Sequence, residues 1–62
     1  MNYKDPEIYP YYKRIEDDVS KLSYEDLLLT FEKCDEMLGL EIPERYRDDA
    51  LACIYFIKER LH

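Results

Sequence analysis

The 62-residue chain is expected to be all-α, a small three-helix bundle built on an antiparallel helical hairpin with an N-terminal Tyr/Pro-rich arm. Three observations predict this. Apolar residues recur at spacings of three and four along three separate stretches. A capping sequence, Leu22-Ser23-Tyr24-Glu25-Asp26-Leu27, punctuates the first junction, and the single glycine, Gly39, punctuates the second. No stretch carries the strict alternation of a half-buried strand. One domain is expected over residues 1–62, near the lower size limit for folding without a metal, a disulfide or a partner.

Residues 1–9 hold Asp5-Pro6 and end beside Tyr9-Pro10. Proline keeps its predecessor out of the helical region, so an extended or turn-rich arm is expected. Pro10 suits the first turn of a helix, where its missing N–H has no partner to lose. From there Tyr12, Ile15, Val19 and Leu22 keep helical spacing, giving a first helix over 10–20 with a narrow apolar stripe.

Ser23 is the predicted N-cap of the second helix, accepting from the N–H of residue 26 while the Asp26 carboxylate reaches back. Aspartate is shorter than the usual Glu or Gln, so the return half of this box is the weaker one. Leu22 and Leu27 occupy the positions of a hydrophobic staple. The helix runs over 24–38, with Leu27, Phe31, Cys34 and Leu38 on one face, widened by Leu28 and Met37. Gly39 follows the last periodic residue, where a left-handed glycine commonly ends a helix.

Pro43 is expected to open the third helix, over 43–61, after an apolar connector containing Leu40 and Ile42. Its stripe is Tyr46, Ala50, Cys53, Ile57 and Leu61, flanked by Ile54. Arg45 with Asp49 offers an i,i+4 ion pair, and Lys58 and Arg60 oppose the helix dipole in the last turn. The short connector makes helices two and three an antiparallel hairpin, with helix one lying across their joint groove.

The net charge of −6 is concentrated. Residues 16–36 carry eight acidic and two basic side chains, which is the whole net charge of the chain. Direct nucleic-acid binding needs a positive footprint and is disfavoured. A protein partner with a basic or apolar surface is the better match. No apolar run approaches the ~18 residues that cross a bilayer, and residues 1–6 lack the pattern of a signal peptide, so a cytoplasmic protein without membrane contact is expected. Cys34 and Cys53 then read as packed, reduced thiols.

Catalytic and metal-binding patterns are not found. Glu16, Asp17 and Asp18 are consecutive, so on a helix they point about 100° apart and do not converge as an acid–base pair. The only histidine is His62, and there is no Cys-x-x-Cys pair, phosphate loop or calcium loop. No enzyme activity, cofactor or metal is expected.

The third helix has more apolar surface than one core needs. Leu51 and Tyr55 lie on one shoulder, and Ala52 and Phe56 on another. The simpler expectation is that helix one covers part of this surplus. The sharper one is an exposed patch for a partner or a second copy of the chain. The partner-binding set on that reading is Leu51, Tyr55 and Phe56, with Tyr9 and Tyr11 from the arm region adding contact area. Glu16, Asp17, Asp18, Glu25 and Asp26 would steer association.

Leu22-Ser23, Glu25, Leu27, Lys33 and Glu36-Met37, followed by Arg47-Asp48, Ile57-Lys58 and Arg60, resemble the small sporulation antikinase family. Residues 1–21 have no counterpart in it. The resemblance implies a helical hairpin that binds the helical dimerisation domain of a histidine kinase and blocks its signalling. The surplus apolar surface of the third helix, the concentrated acidic segment and the lack of catalytic patterns set the expected function, a small acidic protein-binding module that is an inhibitor or regulatory adaptor of another protein. A mimic of DNA that inhibits a nucleic-acid-binding protein, and a structural homodimer or other homo-oligomer, are the alternatives.

Overall fold

Ser23 adopts extended backbone (φ −70°, ψ 167°) and its Oγ accepts from the Asp26 N–H at 3.2 Å, so the second helix starts where its capping sequence lies. In the computed structural model, which describes residues 3–62, the helices are α1 (Tyr9–Ser20), α2 (Tyr24–Leu38) and α3 (Glu44–Leu61). The protein is an all-α three-helix bundle. Pro10 sits in the first turn of α1, and the preceding residues form a turn in which the Asp5 carbonyl accepts from the N–H groups of Ile8 and Tyr9. Pro43 is the N-cap of α3 rather than its first residue, and its carbonyl accepts from Tyr46 and Arg47.

Gly39 departs from expectation. It ends α2 at φ −82°, ψ −7°, an ordinary right-handed conformation, and no described residue has a positive φ. The helix ends by tightening: Gly39 N–H donates to Glu36 O and Leu40 N–H to Met37 O, each at 3.1 Å. The carbonyls this leaves are met from outside. Arg47 of α3 reaches back to Leu38 O and Leu40 O, both at 3.4 Å.

That contact also fixes the hairpin. Arg47 lies at the end of α2, Ala50 and Ile54 pack with Cys34, and Ile57 packs in the cluster containing Leu27, a descending register that makes α2 and α3 antiparallel. The larger core cluster gathers Tyr3, Val19, Leu27, Ala52, Phe56 and Ile57, so α3 is the shared floor for the arm, α1 and α2. Leu61, expected in the core stripe, is exposed at the helix end.

The arm is held at two adjacent points. The Tyr3 ring packs edge-on against Tyr12 and Tyr55, with centroids 4.8 and 5.4 Å away, and tilted over Phe56 at 6.4 Å. Next to it, the Lys4 ammonium bridges Glu59 of α3 (3.1 Å) and Glu16 of α1 (3.7 Å). One turn beyond Glu16, Arg60 donates to the Ser20 carbonyl at 3.4 Å. The C-terminal half of α1 is thus tied to the last turns of α3.

The surplus apolar surface of α3 is accordingly accounted for. Phe56 is only 2% exposed and Ala52 is wholly enclosed, both within the cluster that holds Val19 of α1 and Tyr3 of the arm. The expectation of an uncovered ring at residue 56 is corrected, because the simpler expectation of cover by the first helix holds, with Tyr3 completing it. The Arg45–Asp49 ion pair is also corrected. The Arg45 guanidinium lies over the Tyr46 ring instead, 5.6 Å from its centroid. Among the described residues, the ion pairs are those of Lys4 and one between Lys13 and Asp17.

Candidate protein-binding groove

Helices α1 and α2 both pack on α3 but scarcely touch each other beyond the corner that joins them. What they leave between them is an open groove of about 420 Å³. Its first wall is Ile15, Asp18 and Val19 of α1 with Leu22 from the corner that follows. Its α2 wall is Thr30, Cys34 and Met37, and its floor on α3 is Tyr46, Asp49, Ala50 and Cys53. Thr30 to Met37 on α2 and Tyr46 to Cys53 on α3 are each seven steps, which at 1.5 Å per residue is ~10 Å, about two turns, and α1 contributes about one turn.

The origin of the groove lies in side-chain size and angle. On α1 the stripe is one residue wide for most of its length, and Val19, the buried member, is short. On α3, Ala50 and Cys53, which form the floor between the two flanking helices, are small. A narrow wall over a low floor leaves unfilled space, and Tyr46 (50% exposed) and Met37 (38% exposed) stand at its rim with apolar surface in solvent.

The lining is apolar apart from two carboxylates and a hydroxyl. Among the described residues Asp18 and Asp49 have no ion-pair partner, and no Lys or Arg lines the groove. The absent Arg45 bridge is what leaves Asp49 available. Cys34 on the α2 wall and Cys53 on the floor are neighbouring free thiols. Burial, and then the neighbouring Cys34 thiol, push the Cys53 thiol up to about 12, so it is neutral and inert as a nucleophile near neutral pH. Among the described residues no three His, Cys, Asp or Glu side chains gather as a metal site would require. No helix of the described residues is long and apolar enough to cross a membrane.

The ten residues singled out from the sequence do not converge. Asp18 alone lies on the groove. Leu51 is 41% exposed, away from it, and Tyr55 is half-buried, its ring edge-on to Phe56 at 5.3 Å. Tyr11 is 80% exposed, whereas Tyr9 is half-buried and donates its hydroxyl to Glu16. That bond and the Lys4 bridge commit Glu16 internally, and Asp17 is bonded to Lys13 at 3.0 Å. Glu25 and Asp26 are exposed in the first turn of α2, where negative charge complements the helix dipole. Sequence reasoning missed Thr30 and Asp49, and it assigned Ile15, Met37, Tyr46 and Cys53 to apolar stripes. Those stripes do exist; the signal lacking was that two of them fail to close over each other.

No known protein family, curated protein or solved structure matches this chain. Chemically, the groove is suited to recognition. It offers apolar area, two acceptor carboxylates and no activated nucleophile or base.

Proposed function

We propose that this chain is a small protein-binding module that acts as an inhibitor or regulatory adaptor of another protein. The observation that carries the reading is the open apolar groove between α1 and α2, bordered by Asp18 and Asp49 without a compensating cation. An apolar cleft with charge at its edge gives contact area from its walls and orientation from its rim. The partner fitted by this chemistry presents apolar side chains flanked by Lys or Arg. The antikinase resemblance adds one candidate class, the helical dimerisation domain of a histidine kinase.

Affinity purification from the native host, with the retained protein recombined from purified components, tests the reading. A stoichiometric complex is expected, lost when Asp18→Lys and Asp49→Lys are combined in a protein that keeps its helical circular dichroism. Failure to retain any protein stoichiometrically would overturn the function.

A further inference from the structure

Resting on that reading, we propose that the occupant of the groove is a single amphipathic helix, about two turns of it in contact, with basic residues flanking its apolar ridge. Two of the helices supply the length. Thr30 to Met37 on α2 and Tyr46 to Cys53 on α3 each span about two turns, the distance over which a docking helix presents apolar side chains at i, i+3 or i+4, and i+7, while α1 adds the turn from Ile15 to Val19. The arrangement supplies the position: α1 and α2 lie on α3 and scarcely touch each other, so a fourth helix laid between them touches all three.

Charge supplies the polarity. Among the described residues, Asp18 on the α1 wall and Asp49 on the floor are both without ion-pair partners, and no cation lines the groove to receive an acidic ligand. An acidic or neutral helix would leave these carboxylates uncompensated on the bound surface, whereas Lys or Arg beside the ridge would meet them. A second copy of this chain is a poor occupant for the same reason. Its exposed Leu28 and Leu29 lie in the acidic segment 16–36, and its Leu61, though beside Lys58 and Arg60, stands on the last turn of α3 and offers no two-turn apolar ridge.

The test uses the full chain, uniformly labelled with nitrogen-15, and synthetic helical peptides. Three peptides carry Leu, Ile or Phe at i, i+4 and i+7 with flanking lysines, and each has a twin with glutamates in place of the lysines. At least one lysine peptide is expected to shift the amides of Ile15, Thr30, Met37 and Tyr46 and to bind at least tenfold more tightly than its twin. The Asp18→Asn, Asp49→Asn double variant, whose side chains are isosteric, is expected to remove most of that preference without changing the helical spectrum. Shifts centred on another face, equal affinity of the twins, or no binding at millimolar peptide would overturn the proposal. So would a concentration-dependent dimer in sedimentation whose interface broadens the same four amides. A natural partner that binds stoichiometrically through another face would overturn the helix-in-groove assignment while leaving the protein-binding function intact.

Discussion

Gly39 is the clearest case of a side chain whose role differs from its usual one. Because its φ is −82° and an added Cβ would meet only Glu36 O at 3.4 Å, Gly39→Ala is expected to be neutral or to stabilise by about 0.4–1 kcal/mol. Urea denaturation checks this; a loss above ~1 kcal/mol would mean that the glycine is left-handed after all. Ser23→Ala removes a cap bond and is expected to cost about 1 kcal/mol. Phe56→Ala is different in kind. Its ring is enclosed by Tyr3, Tyr55 and the cluster that holds Val19 of α1, and truncating such a ring costs roughly 3–5 kcal/mol. A domain of this size has little more than that in total, so the variant is expected to lose its cooperative thermal transition.

The three helices were largely legible because each has its own local signal: Pro10 and a 3-4-3 stripe, the Ser23 cap, and the glycine and proline before α3. The groove was not, since it depends on how far two stripes stand apart, a property of no single helix. The same limit explains Phe56. Its helix face reads as surplus until the partner surface is known, and part of that surface is Tyr3, which lies in an arm with no periodicity to announce it. The arm has a testable consequence. Burial raises the Tyr3 hydroxyl above its usual 10.0 and pushes the Cys53 thiol from 9.0 to about 12. Both groups keep their protons longer in the folded protein than in the unfolded chain. The stability they confer is therefore complete below about pH 9 and is lost as the pH climbs towards 12. Lys4 and Lys13, raised chiefly by their bonds to Glu59 and Asp17, act in the same direction. Urea midpoints are expected to fall between pH 8 and pH 11, less steeply in Cys53→Ala; a flat profile would contradict the burial of both groups.

Taken entire, the protein is a flattened body of 30 × 28 × 17 Å with a radius of gyration of 11.3 Å. A closed domain of this length has about 10.5 Å, and the excess fits two helices laid side by side on a third with nothing over the gap. Its charge of −6 is partly spent internally, on Glu16, Asp17 and Glu59, which leaves Asp18 and Asp49 as the groove's own contribution. Partner binding is then expected to weaken only severalfold from low to physiological salt, because apolar contact is unscreened and few charges are involved. A collapse over several orders of magnitude would favour the DNA-mimic reading instead. Everything functional rests on the gap between α1 and α2 being open to solvent in the free protein. Paramagnetic relaxation by a soluble nitroxide measures that directly. Strong relaxation of the Met37 methyl and the Tyr46 ring, beside protected Phe56 and Ile57, is the predicted result, and a Met37 methyl as protected as Ile57 would contradict it.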